Sequence, residues 1–263
     1  MADRVVVSLS DGVADVRLAR PEKLNALDGA MFEALAATGR RLAEERSLRA
    51  VVLSGEGRAF CAGLDFPSFQ GGGGGVDLFA RGAESPANLA QRAAWIWTEL
   101  PVPVIAAVHG YAFGGGLQIA LGADLRIVAP DAQLSVMEIK WGLVPDMAGT
   151  QLLRRLVRLD VAKELTYTGR RVSGAEAVAL GLATRVSDAP HADATALARE
   201  IAGKSPDAIR AGKRLLDASA RVSVEEGLLL EEKAQRGLLG SPNQIEAVKA
   251  NFEKREPRFR EPE

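Results

Sequence analysis

The stretch Gly110-Tyr-Ala-Phe-Gly114-Gly115-Gly116-Leu-Gln118 decides how this chain is to be read. The apolar run from Val102 to Val108 in front of it, with Pro103 near its start, has the character of a strand buried in a covered sheet. The glycines therefore fall at a strand's carboxyl end, where a helix begins. Without Cβ atoms the backbone approaches a ligand closely, and the first N–H groups of a helix lack intrahelical acceptors while its dipole favours developing negative charge. Such a turn suits a polarised carbonyl oxygen, although the same glycines also serve plain helix–sheet packing.

A second signal lies upstream, where the strand Ala50-Val-Val-Leu-Ser54 is followed by Gly55-Glu-Gly57-Arg-Ala-Phe60-Cys-Ala62-Gly63-Leu64-Asp65. A dinucleotide fingerprint fails here, because Phe60 stands where the third glycine belongs and neither the expected helix nor the acidic ribose partner follows. Ala62-Gly63-Leu64 instead offers a second small-residue turn whose amides can face the first. Two such donors make an oxyanion hole.

Together these segments resemble the crotonase superfamily, also called the enoyl-CoA hydratase/isomerase family, and the family's pieces occur in its order. Arg20-Pro21-Glu-Lys23-Leu-Asn25-Ala26-Leu27 is similar to the early turn that touches coenzyme A, and Arg58 to Asp65 to the first oxyanion segment. Gly110 to Gln118 resembles the second, Glu138-Ile-Lys-Trp-Gly142-Leu-Val-Pro145-Asp146-Met-Ala-Gly149-Thr150 the catalytic loop with its helix, and Asn251-Phe252-Glu-Lys254-Arg255 the closing helix. The resemblance implies an α/β fold, a crotonase-like spiral of repeated ββα units over residues 1–204, with a C-terminal helical oligomerisation region over 205–263. It implies an acyl-CoA thioester whose oxygen sits between the N–H groups of Leu64 and Gly115. Lys23, Ala26, Ala62, Gly63, Asp65, Gly114, Gln118 and Lys254 are the matching substrate-binding positions, with Lys23 and Lys254 facing the CoA phosphates or, for either, merely solvated. No cofactor is implied, since coenzyme A belongs to the substrate, and the family's assemblies imply a homotrimer or a hexamer made as a dimer of trimers.

The carboxylates decide which reaction an enolate would serve. Hydratases of the family carry two glutamates that hold and deprotonate water; here the first position is Gln118 and the second is Glu138. An amide orients water but cannot take up a proton near neutral pH. Asp146 stands where hydratases usually have glycine and where dienoyl-CoA isomerases carry an aspartate. The expectation is an enoyl- or dienoyl-CoA isomerase with Glu138 as acid and base and Asp146 as second proton carrier. Water addition, with Gln118 in place of the first glutamate, and a catalytically idle acyl-CoA binder remain open alternatives. Dehalogenation is disfavoured, because that branch places tryptophan where Glu138 stands.

Plain structural readings stand beside these. Asp146 can cap the helix that runs through Leu152, Leu153 and Leu156. Gln118 can hydrogen-bond within the pocket wall, Cys61 can be a small buried filler, and His109 a packed, satisfied histidine. Phe66, Phe69, Leu78 and Phe79 can line an acyl pocket, with Trp95 and Trp97 nearby and a lid hinged at Gly71 to Gly75, or that segment can be a simple loop.

Bulk properties exclude other classes. With 263 residues, 47% hydrophobic, the chain is long enough for a full α/β core. A net charge of −1 gives no field for nucleic acid, and one cysteine excludes an intrachain disulfide. Two histidines without ligand spacing leave no metal signature, and neither a Gly-x-Ser-x-Gly elbow nor a Walker loop occurs. The amino terminus lacks an apolar signal core, and Val102 to Ala123 is too interrupted to span a membrane, so a cytoplasmic protein is expected. Val5 to Leu9 and Val13 to Leu18 read as a hairpin turned at Asp11-Gly12, Asp28 caps a helix reaching about Glu45, and Ser85-Pro86, Ser205-Pro206 and Ser241-Pro242 each read as a helix start.

Overall fold

The computed structural model describes residues 3–69, 76–83 and 85–262. The hairpin forms as expected: β1 (Val5–Ser10) pairs antiparallel with β2 (Val13–Leu18), and Asp11 and Gly12 take φ of 51° and 75°. Left-handed conformations at both turn residues match the twist of the flanking strands. Then β3 (Ala50–Gly55), β4 (Val104–Val108), β6 (Leu125–Val128) and β9 (Arg185–Val186) join in parallel, giving the sheet order β1-β2-β3-β4-β6-β9.

A second sheet grows beside the first, because the chain kinks after each long strand and contributes a short one. Its strands are β5 (Tyr111–Phe113), β7 (Gln133–Ser135) and β8 (Val172–Ser173). Single parallel bridges, Leu27 with Leu64 and Cys61 with Ala112, continue this layer back towards the amino terminus. A strand for each sheet followed by a helix, repeated with steadily advancing position, is the expected spiral of ββα units.

Alternation along the long strands divides the core in two. Ala14, Val16 and Leu18, Val51 and Leu53, and Val104, Ala106 and Val108 face one side, where they meet α1 (Gly29–Glu44) and α3 (Leu89–Glu99); between these in sequence lies the short α2 (Phe66–Phe69). The alternate residues Val13, Ala50, Val52, Ile105, Ala107 and Ile127 face the other side and are covered by Ala194 and Ala198. Each valine, leucine and isoleucine among these contributes about 1.5–3 kcal/mol on burial, the alanines less, so period-two patterning holds the spiral shut. The remaining helices are α4 (Gly115–Leu121), α5 (Gly149–Leu156), α6 (Leu159–Thr168), α7 (Gly174–Leu180), α8 (Pro190–Ala202), which supplies those two alanines, α9 (Pro206–Ser219), α10 (Val224–Leu238) and α11 (Pro242–Glu253).

Asp28 caps α1, accepting from the N–H of Met31, and Pro206 and Pro242 open α9 and α11. The start expected at Ser85-Pro86 is corrected. α3 begins at Leu89, where Asn88 and Gln91 form a reciprocal capping box that satisfies two orphan donors, whereas Ser85 bonds Glu99 and the N–H of Ala87. Asn88 outcompetes the serine because its partner at the third helical position is a glutamine. At the other end, α10 buries none of its side chains within the chain, while Lys213 of α9 is tied to Asp124 at 2.7 Å and to the carbonyl of Val102. After α11 the tail returns to the sheet: Asn243 bonds both the N–H and the carbonyl of Arg260, which also accepts from Arg49.

Asn25 organises the turn after β2. It is fully buried at φ 56°; its amide donates to the carbonyls of Glu56, Ala59 and Phe60 and its oxygen accepts from the N–H of Arg20. Stranding buried carbonyls costs about 1–3 kcal/mol each, and asparagine tolerates the left-handed region better than alanine. Asn25→Ala is expected to lower unfolding stability by about 3 kcal/mol or more, read from the urea midpoint.

Candidate active site

The two glycine-bearing turns meet side by side. Phe60 and Cys61 donate to the carbonyls of His109 and Tyr111, and the N–H of Phe113 returns to the carbonyl of Cys61. A Cβ at Gly116 would run into the carbonyl of Cys61, one at Gly110 into that of Arg58, and one at Gly63 would stand 2.7 Å from that of Phe113. Glycine is what lets these backbones touch.

Beside this contact lie the N–H groups of Leu64 and Gly115, the expected oxyanion donors. Across from the turn at Leu27, the bonds run from Leu27 N–H to the carbonyl of Gly63 and from Asp65 N–H to that of Leu27. In a parallel bridge of this register the peptide groups of Leu64 face away from Leu27. Gly115 is the first residue of α4, so its N–H has no intrahelical acceptor. The carboxylate of Asp65 pairs with Arg20 at 2.8 Å, and Arg20 also donates to the carbonyl of Ala26, so Asp65 fixes this turn from behind.

Glu138 lies on a 3-10 turn, Met137–Trp141, that follows β7 and brings its carboxylate beside Gly114. It is 8% exposed, and Oε1 accepts from the amide of Gln118 at 2.5 Å while buried Oε2 takes no hydrogen bond among the described residues. Burial pushes its carboxyl above the ordinary glutamate range and the charge of Asp146 adds to this, against the lowering effect of hydrogen bonds from its own backbone and from Gln118. Asp146 is exposed, yet the protein around it removes enough water to raise its carboxyl too. It does not cap α5. The capping position is Ala148, at φ 66° and without a side-chain bond, so the helix begins three residues beyond Asp146. The amides near that start, Met147 and Gly149, instead donate to Gln118.

A spiral of ββα units carrying a buried carboxylate beside two glycine-bearing turns is the frame the sequence resemblance implies, and comparison with known proteins agrees on the fold and the family. Residues 8–262 match the family described as enoyl-CoA hydratase/isomerase. The chain belongs to the enoyl-CoA hydratase/isomerase family. A human relative, enoyl-CoA hydratase domain-containing protein 2, mitochondrial, is 35% identical, covering 97% of this chain and 88% of that protein. Crystal structures of enoyl-CoA hydratases from Bacillus anthracis (31% identical, covering 98% and 100% of the two chains) and Mycobacterium tuberculosis H37Rv (29%, covering 99% and 100%) both superpose with a TM-score of 0.88.

Within the family's frame, the other expected residues divide. Ala62, Gly63 and Gly114 line the meeting of the two turns, and Ala26 sits beside the first, its N–H bonded to Lys23 and its carbonyl to Arg20. Lys23 and Lys254 are both exposed, at the end of a 3-10 turn and at the left-handed residue closing α11. The expected acyl-pocket set does not gather. Phe69 meets Phe32 edge-on, Phe79 is 75% exposed, and Trp97 is fully buried in the core with its indole N–H on the carbonyl of Ala93. Trp95 lies under the guanidinium groups of Arg155 and Arg221. Phe66 packs on Trp141, ring centroids 4.4 Å apart and tilted by 38°, at the end of the turn that carries Glu138. Sequence reading missed Trp141, although its place three residues after Glu138 is the eclipsed position of a 3-10 turn. The proposed hinge, Gly71 to Gly75, lies outside the described residues.

His109 is satisfied by the carbonyl of Gly57 at 3.0 Å, and Cys61 is a buried filler whose thiol is pushed up to about 12 by burial. Among the described residues no cluster of acids, histidines and cysteine is placed to hold a metal, and no helix is long and apolar enough to cross a membrane.

Burial favours the protonated form of Glu138, so the folded chain keeps a proton that the unfolded chain releases above about pH 4.5. Stability present below that value is lost as pH rises through the raised folded value. Glu138→Gln keeps an acceptor for Gln118 and carries no charge. Its thermal midpoint should exceed the parent's near about pH 8, with the gap closing as pH falls towards 4, in melts followed by circular dichroism.

Proposed function

We propose that the protein moves a double bond in an unsaturated acyl-CoA thioester, with Glu138 as the proton carrier. The single observation that carries this reading is the lone buried oxygen, Oε2, of a carboxylate whose other oxygen is engaged by an amide rather than by a second acid. A base of raised pKa both takes up and returns a proton near neutral pH.

For a 3-enoyl ester, Glu138 Oε2 removes a proton from C2. The C–H electron pair enters the conjugated system, and negative charge collects on the thioester oxygen, held by the N–H groups of Leu64 and Gly115. The electron pair then closes onto C4, which takes the same proton from Glu138, leaving the double bond between C2 and C3. No water is consumed. Each oxyanion donor is worth about 3–4 kcal/mol in the transition state, and because both are main-chain groups their placement rests on the glycines. For a 3,5-dienoyl ester the proton must travel further, and Asp146, whose carboxyl is also raised and whose charge acts on Glu138, takes the distal position. Phe66 and Trp141 flank the acyl chain, while Lys23 and Lys254 offer cations to the CoA phosphates.

Hydration is the second reading, favoured by the names of the relatives, which say hydratase more often than isomerase. Incubation with 3-enoyl-, 3,5-dienoyl- and 2-enoyl-CoA esters separates the two by product. Double-bond shift is expected to dominate, and Glu138→Gln should reduce it by about 10²–10⁴-fold. Faster formation of the 3-hydroxy product from the 2-enoyl ester than of any shifted alkene would overturn isomerisation in favour of hydration.

Assembly as a trimer, or as two trimers, is part of the same proposal. Leu228, Leu229 and Leu239 are each about 60% exposed, and a cavity of about 680 Å³ opens between α9 and α10, lined in part by Leu215, Leu228 and Leu238. Clustered exposed apolar side chains mark association surfaces. Light scattering should give three or six chains for the parent and fewer for Leu228→Glu combined with Leu229→Glu.

A further inference from the structure

Gln118 is 3% exposed, and its polar atoms are committed in a way that identifies its two ends. Oε1 accepts from the N–H groups of Met147 and Gly149, both at 2.8 Å, and only an oxygen satisfies two such donors. The NH₂ group is thereby turned to Oε1 of Glu138, at 2.5 Å. The cradle is sterically tight: a Cβ on residue 149 would stand 2.5 Å from the amide oxygen, and one on Gly114 would stand 3.3 Å from Oε1 of Glu138.

The geometry points to Gln118 as a positioning and specificity-determining residue: it ties one oxygen of Glu138 to the turn that carries Asp146, and so reserves Oε2 for the substrate and bars water addition. This rests on the isomerase reading above and names what makes the site choose that reaction. A water that is to attack carbon must have its protons accepted and its lone pair left free. Both lone pairs of the Gln118 oxygen are already taken. Its remaining N–H is a donor, and would hold water by the lone pair that has to attack. Only Oε2 of Glu138 is left to accept, and one acceptor leaves the water unaimed.

Glutamate at position 118 would alter this in one place. Its oxygen still accepts from Met147 and Gly149, so the turn keeps its support, but the donor to Glu138 is gone and a second carboxylate meets the first. Two carboxyls at that separation share a proton and titrate as a pair. Asp146 is the other charged group acting on Glu138 among the described residues, and it pushes in the same direction.

The test uses the full chain with Gln118→Glu and Gln118→Met. Glutamate side chains carry ¹³C at the carboxyl, the Glu138 signal is assigned by its loss in Glu138→Gln, and its titration is followed by NMR. Isomerisation of a 3-enoyl-CoA and hydration of a 2-enoyl-CoA are measured alongside. In Gln118→Glu the Glu138 titration should rise by more than about 1 pH unit. Isomerisation kcat should fall on the order of ten- to a hundredfold with KM little changed, as for a misplaced reacting group, and hydration should rise above the parent's. In Gln118→Met the Glu138 titration should also rise, with no gain in hydration. A purely structural role predicts altered melting with the Glu138 titration unmoved in Gln118→Met, and an unchanged titration in that folded variant overturns the inference. Should the parent shift no double bond, the isomerase reading falls on the turnover data alone, while the NMR titration still decides whether Gln118 governs Glu138.

Discussion

Residues 58–64 and 109–116 lie backbone against backbone with almost no side-chain volume between them, and the site exists because of that contact. Hydrogen bonds across the contact use the N–H groups of Phe60, Cys61 and Phe113, and the N–H groups of Leu64 and Gly115 beside them are the proposed oxyanion donors. A methyl group at Gly110 or Gly116 would force the segments apart and dissolve the pairing. The large apolar core holds the strands behind both turns, so the cost of ordering so many glycines is offset by burial elsewhere.

Around this contact the polar side chains divide into supports and chemistry. Asn25 and the Arg20–Asp65 pair brace the first turn from behind, satisfying carbonyls that the bends leave without strand partners. Gln118 braces the other side and reaches Glu138. A carboxylate buried with one oxygen unpartnered lowers stability, and folds retain such groups where they are used. Among the described residues, Glu138 carries the one carboxylate oxygen that is buried without a hydrogen-bond partner, beside the contact between the two glycine-bearing turns.

Much of this was legible in the sequence because the signals are local. The hairpin followed from Asp11-Gly12, α1 from Asp28, and the close approach of the two turns from glycines at strand ends. What was not legible depends on partners distant in the chain. Ser85-Pro86 looked like a helix start until Asn88 and Gln91 closed a box three residues later. Asp146 looked like a cap, yet the backbone there turns through a left-handed Ala148 and gives its free amides to Gln118, 29 and 31 residues earlier. Aromatic residues near the glycine run suggested one pocket, but side-chain direction in a short helix sends Phe66 to Trp141 and Phe69 to Phe32. No periodicity in the sequence encodes that split.

Cys61 has a use that its packing makes available. It is the sole thiol of the chain, fully buried, with its sulfur on the carbonyl of Asn25 and its proton held up to about pH 12. Alkylating reagents need a thiolate they can reach, so the intact molecule is inert to them. Modification at this one atom would then clock the separation of the two glycine-bearing turns, providing a built-in stopwatch for their opening without any engineered label.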